Sequence, residues 1–203
     1  MDIRKFSLPE IIFGHGSMRY TGLYARQLGG KRVFVVTDRG LEQAGWAHRL
    51  FEVLESSGLG WVCYDRVSSN PRDTEVHEGA KLYREEGADV IVALGGGSPM
   101  DTAKGVAAVV SNGGIIQNYE GANLILNPLP PMIFLPSTAG SGSDVSQFAI
   151  ITDARRRVKM SLISRSLTPN VSIIDPDMLS TANDKLILSS AVDALAHAVE
   201  SYV

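Results

Sequence analysis

The sequence predicts an α/β fold, a doubly wound domain around a mostly parallel sheet, and three observations lead there. Short apolar or β-branched runs alternate with segments whose apolar residues recur at helical spacing. The runs are apolar almost throughout rather than every second residue, as strands covered on both faces require. Their regular alternation with helices supplies the crossovers that parallel neighbours need.

Taken in order, Ile11 to Phe13 reads as a short strand that ends in the glycine turn GHGS, with His15 as a turn residue. Tyr20 to Leu28 is helical and is closed by Gly29 and Gly30; KRVFVVTD is the next strand and ends at Asp38. Leu41 to Ser56 carries Leu41, Ala44, Ala47, Leu50, Phe51 and Leu54 at helical spacing, which predicts one helix before the strand Trp61 to Tyr64. Thr74 to Glu86 is a third helix with Thr74 as candidate cap, and DVIVALGGG is the strand that follows. Met100 to Val110 is helical again, Ser111 to Pro131 is an irregular surface connection, and MIFLPST is another strand. FAIITD and VKMSLIS form a hairpin about the charged turn Asp153 to Arg157, and VSIIDP is the last strand. Asn183 or Asp184 then caps a helix through KLILSSAVDALAHAVESYV that meets no stop signal. Residues 1–180 are thus expected to form the α/β domain, and residues 181–203 the first helix of an all-helical second domain that is cut short.

Composition narrows the partners. Nineteen Lys plus Arg against 22 Asp plus Glu leave a net charge of -3, too balanced for the basic field that nucleic acid or an anionic membrane requires. The single cysteine, Cys63, excludes an internal disulfide and reads as a small buried side chain in WVCY. The first fourteen residues lack the apolar core of a signal peptide, about 7 to 15 residues long, and no run reaches the length of a membrane span. A cytoplasmic protein with a small-molecule ligand is expected.

In IVALGGGSPMDTAK a buried strand runs into Gly95, Gly96, Gly97 and Ser98 and then into a helix, with Ser98 as candidate cap and Pro99 at the first helical position. Glycines let a diphosphate approach the backbone, and the free amides and positive dipole end of the helix attract its charge. A tight turn with no ligand is the plainer alternative. The run is neither G-x-G-x-x-G nor a P-loop, and it follows a middle strand, so a dinucleotide fold here is a Rossmann variant. Asp101 suits the helix dipole and Lys104 reaches toward an anion, or both are solvated. Asp38 either accepts ribose hydroxyls, which favours NAD over NADP, or caps the following helix.

FLPSTAGSGSDVS places five hydroxyls (Ser137, Thr138, Ser141, Ser143, Ser146) in one loop, enough to wrap a polar ligand and equally ordinary for a surface loop. Asp193 and His197 stand four apart, so a helix puts both on one face with Cβ atoms about 5 to 6 Å apart. A carboxylate and an imidazole suit Fe²⁺ or Zn²⁺ better than calcium, though two donors do not complete a site, and a plain Asp–His contact is the alternative.

FGHGS, TD at the strand end, SSNP, GGGSPMDTAK, PSTAGSGSDVS, VKMS, DP and DALAHAVE, in this order, resemble the iron-containing (group III) alcohol dehydrogenase family over essentially the whole chain. The second loop departs from the family form, which is richer in threonine and carries Glu where this chain has Asp144. The resemblance implies a dehydroquinate synthase-like nucleotide domain and an NAD site lined by Asp38, Asn70, Gly96, Gly97, Ser98, Asp101, Thr138, Ser141 and Lys159. It also implies Asp193 and His197 as metal ligands, with two further histidines beyond Val203, because His15, His48 and His77 fall in the nucleotide domain. The activity implied is metal-assisted hydride transfer between NAD and a small primary alcohol or diol, giving an aldehyde, in a homo-oligomer. A glycerol dehydrogenase or dehydroquinate synthase relative is the nearest alternative, and a module that binds a dinucleotide without catalysis is the alternative of another class.

Overall fold

A computed structural model describes residues 8–202; residues 1–7, on which the reading of a leaderless N-terminus partly rests, and Val203 lie outside the described residues. The strands are β1 (Glu10–Phe13), β2 (Arg32–Val36), β3 (Gly60–Tyr64), β4 (Val90–Gly95), β5 (Gly121–Ala122), β6 (Met132–Pro136), β7 (Phe148–Asp153), β8 (Val158–Ile163) and β9 (Val171–Ile174). The helices are α1 (Thr21–Gln27), α2 (Arg39–Gln43), α3 (Trp46–Ser56), α4 (Asp73–Glu85), α5 (Gly97–Asn112) and α6 (Asp184–Tyr202).

Six strands form one sheet in the order β1-β9-β6-β4-β2-β3, and every pairing in it is parallel. Its inner strands are covered on both faces, which is why VFVV, VIVALG and MIFL are apolar throughout. Val33, Val35, Leu50 and Leu54 pack with α1 and α3 on one face; Phe34, Val36, Val76, Ala80, Ala103 and Val106 pack with α4 and α5 on the other. The predicted hairpin forms as β7 and β8, antiparallel from Phe148–Ile163 to Asp153–Val158, and β5 adds a third strand to it. This small sheet lies over α5.

Three local expectations are corrected. The helix read over 41–56 is broken: Gly45 sits at φ 82, a left-handed conformation open to glycine, and Trp46 starts a new helix with its ring buried. Thr74 does not cap α4, which begins one residue earlier; the Glu75 carboxylate instead accepts the amides of Arg72 (3.3 Å) and Ser68 (3.2 Å). The stretch 111–131 is more than a surface connection, because it holds a 3-10 turn at Ile116–Tyr119 whose Ile116 and Tyr119 are buried. His15 lies in the turn as expected, its Nδ1 2.6 Å from an Asp177 carboxylate oxygen. As expected, Asn183 caps α6 by accepting the Leu186 amide (2.9 Å).

Candidate functional site

A cavity of about 910 Å³ opens over the carboxyl ends of β2, β3, β4 and β6. Ligands of open parallel sheets collect at such ends. Each strand delivers one wall. After β2 come Asp38, Arg39, Gly40 and Leu41; after β3, Asp65 to Ser69; after β4, Gly96, Gly97 and Ser98; after β6, Ser137 and Thr138. The fifth wall is Met178, Thr181 and Ala182 together with Asn183 and Leu186 at the start of α6.

The β4 turn is built for close approach. Gly95 sits at φ 150 with its Cα pressed on the Pro99 ring: an added Cβ would meet Pro99 Cγ at 2.6 Å. Gly96, not Ser98, is the N-cap of α5, and it carries no capping side chain, so Pro99 falls at the third helical position. The Ser98 hydroxyl turns away and donates to the Ser69 carbonyl (2.8 Å), fastening the β3 loop to this turn. The first amides of a helix have no partner within it, and with no side chain capping them those of Gly97 and Ser98 are left at the cavity wall. A Cβ on Gly96 would lie 3.3 Å from Thr138 Oγ1, and one on Gly97 3.3 Å from Ser141 Cβ, so the hydroxyl loop is seated directly on the glycines. A bare backbone, an uncapped helix end and a ring of hydroxyls together fit a dinucleotide diphosphate.

The remaining expected residues are distributed around this turn. Asp38 caps α2, one carboxylate oxygen accepting the Leu41 amide (3.1 Å), and the residue also lines the cavity. Asn70 and Lys159 line a second, adjoining cavity of about 700 Å³ that shares Ser68 and Ser69 with the first. Asp101 and Lys104 are neither solvated nor in the cavity wall. Asp101 is 8% exposed and accepts the Ile150 amide (3.1 Å); Lys104 is fully buried and donates to the carbonyls of Phe148 (2.7 Å) and Ser146 (2.9 Å). Burial pushes the Asp101 carboxyl up to about 6 and the Lys104 ammonium down to about 8, each partly held back by the charge of the other. The two pin α5 to the hairpin.

Asp193 and His197 share one face of α6, with Nε2 and Oδ1 3.8 Å apart and both side chains about half exposed. The helix crosses the hydroxyl loop closely, since a Cβ on Gly140 would meet Asp193 Oδ2 at 2.6 Å. Among the described residues no third His, Cys, Asp or Glu joins them. One carboxylate and one imidazole a helical turn apart fit two positions of a transition-metal ligand set.

Sequence reading missed Asp65 to Val67 and the segment from Met178 to Leu186 as cavity walls. The first was detectable, because these residues follow a strand next to the glycine-bearing one. The second was not, because its position depends on how the chain leaves β9.

A parallel, doubly wound sheet with its ligand cavity over the strand ends and a glycine turn on a central strand defines a variant Rossmann-like protein. The chain belongs to the iron-containing alcohol dehydrogenase family, whose model matches residues 9–176. It is 36% identical over 198 residues to an NAD-dependent methanol dehydrogenase of Bacillus methanolicus, covering 98% of this chain and 52% of that one. Its fold is similar to the crystal structure of a 1,3-propanediol oxidoreductase, with TM-score 0.95 and 34% identity over 98% of this chain and 52% of the other. An NADH-dependent butanol dehydrogenase A of Thermotoga maritima matches with TM-score 0.91 and 29% identity over 98% of this chain and 51% of that one. The chain spans about half the length of the relatives it matches. No helix among the described residues is long and apolar enough to cross a membrane.

Proposed function

We infer that this chain is the dinucleotide-binding part of an NAD-dependent, metal-dependent alcohol dehydrogenase acting on a small primary alcohol or diol and on the matching aldehyde. The observation that carries the reading is the bare glycine turn with the uncapped α5 end in the wall of the large cavity. Methanol, 1,3-propanediol and butanol, named for the relatives, support the substrate class, and two of those names support NAD.

The amides of Gly97 and Ser98 receive the diphosphate, and Thr138 and Ser141 donate hydroxyls beside it. Asp38 accepts a ribose hydroxyl and repels a 2′-phosphate. Asn70 and Lys159, in the adjoining cavity, flank the other half of the dinucleotide. Asp101 acts from beneath, holding the hairpin that carries Lys159. Asp193 and His197 offer two donors to an Fe²⁺ or Zn²⁺ ion. Once bound, the ion supplies Lewis-acid activation of the alcohol or carbonyl oxygen, and NAD accepts or returns the hydride. Residues 181–203, in this reading, open a helical domain that covers the cleft, and the protein assembles as a homo-oligomer.

Only two metal donors stand together among the described residues, which favours a second reading in which the chain binds NAD without turnover. Calorimetry with NAD, followed by an assay of aldehyde formation in iron- or zinc-loaded protein, tests both. Micromolar NAD binding is expected. No heat on NAD addition removes the first reading and the second; binding without turnover leaves the second.

A further inference from the structure

The geometry points to an oxyanion site in the smaller cavity, made by Arg72, Arg157 and Lys159, that receives a carboxylate or phosphate on the substrate beside the bound dinucleotide. This inference rests on the dinucleotide reading above and extends it to a substrate class, an alcohol or aldehyde bearing a negative charge.

Three cations from two separate segments line this cavity, and apart from Val158 the other lining residues are polar and uncharged. Arg72 comes from the entry to α4, Arg157 and Lys159 from the far side of the hairpin turn. The two segments are joined where the Thr152 amide donates to the Pro71 carbonyl (2.7 Å). The carboxylates nearby are already engaged. Glu75 accepts the amides of Ser68 and Arg72, Asp73 accepts Gln117 Nε2 (2.7 Å) and the Ala154 amide (3.1 Å), and Asp153 binds the Arg156 guanidinium (2.6 Å). Arg156 also reaches Glu120, whereas none of Arg72, Arg157 and Lys159 is paired with a carboxylate among the described residues. Arg157 holds a left-handed backbone at φ 57, an uncommon conformation for a side chain of its size.

The cavity begins where the phosphate turn ends, because Ser98 is bonded to Ser69, which both cavities share. A dinucleotide whose diphosphate lies on Gly97 and Ser98 therefore sends one half toward it. The oxidised nicotinamide ring carries a positive charge and has no use for three more. An anion seated between them removes the repulsion, and Arg guanidinium groups bind carboxylate and phosphate in bidentate fashion.

The test titrates inorganic phosphate into the protein alone and into NAD-saturated protein at fixed ionic strength, by NMR or calorimetry. An Arg72→Gln/Arg157→Asn variant is run in parallel; asparagine tolerates the left-handed backbone. The expected result is millimolar phosphate binding that persists with NAD present and weakens at least tenfold in the variant, while its NAD affinity stays within about threefold. Phosphate binding abolished by NAD overturns the inference and makes the cations a cradle for the cofactor's own phosphates. So does equal phosphate affinity in both proteins. Phosphate binding that depends on the two arginines in a protein that takes no NAD retains the anion site and removes the dinucleotide reading instead.

Discussion

Asp38 caps α2 with one carboxylate oxygen through the Leu41 amide, and the residue also lines the cavity proposed to hold the dinucleotide. Removing the carboxylate therefore has two consequences that different substitutions separate. Asp38→Gly is expected to raise affinity for NADP relative to NAD by at least about tenfold, since a charge facing a 2′-phosphate is lost. Asp38→Ser does the same while keeping a capping oxygen, which saves roughly 1 kcal/mol of stability in urea unfolding. Unchanged NAD and NADP affinities in both variants would remove the ribose role and leave only the cap. Asp101 gives a second residue-scale prediction. Its folded carboxyl titrates at about 6, above its unfolded value of 3.8, so the folded state holds the proton where the unfolded state has released it. Stability contributed by this group is present in full below the unfolded value and declines as pH rises through the folded one. Urea midpoints of wild type and Asp101→Asn are expected to diverge between pH 4 and 6, with wild type losing on the order of 3 kcal/mol relative to the variant. Parallel pH profiles would show that the buried carboxyl does not titrate there.

Among the elements, the glycine turn shows how far sequence alone reaches. Strand, glycines and helix were legible in VIVALGGGSPM because buried strands and glycine punctuation leave direct marks. The cap was not, because Ser98 and Gly96 are both acceptable caps and the choice depends on Ser69, distant in sequence, which claims the serine hydroxyl. The break at Gly45 escaped for a similar reason: helical spacing continues through Leu41, Ala44 and Ala47, and the left-handed turn of Gly45 goes with burial of the Trp46 ring, which the spacing does not reveal. Lys104 reads as an anion-facing or a solvated helix residue until the hairpin is placed over it, since its three acceptors lie more than forty positions downstream. These facts make Gly97 a sharp probe. Its Cβ would sit 3.3 Å from Ser141 Cβ and 3.4 Å from the hydroxyls of Ser141 and Ser143, inside the cradle but in helical backbone that alanine adopts freely. Gly97→Ala is expected to lower NAD affinity at least tenfold in calorimetry while shifting the thermal midpoint by only a few degrees. A full loss of folding would place the residue in the core of the domain, and normal NAD affinity would move the diphosphate elsewhere.

At the scale of the whole molecule, the chain from β9 onward joins the two candidate sites. Asp175 accepts the amides of Gly16 (3.0 Å) and Met18 (3.0 Å), and so locks the end of β9 to the turn after β1. From there Met178, Thr181 and Ala182 run along the cavity wall, Asn183 starts α6, and a few turns on Asp193 lies against Gly140 of the hydroxyl loop. The same helix thus closes one end of the large cavity and carries Asp193 and His197, so an ion held by that pair would lie on the side of the cavity where Thr138 and Ser141 sit. If that geometry is used, the ion and the dinucleotide sense each other through the loop 137–142. Zinc titrated into the protein is expected to bind at least tenfold more weakly in His197→Ala and in Asp193→Asn than in wild type, because each change removes one of two adjacent donors. Saturating NAD is expected to change the zinc affinity of wild type, and by linkage zinc must change NAD affinity by the same factor. Equal zinc affinity in all three proteins would take the ion away from α6. Normal loss in the variants with no NAD effect would keep the ligands and uncouple them from the cavity, showing that the contact between Gly140 and Asp193 transmits nothing.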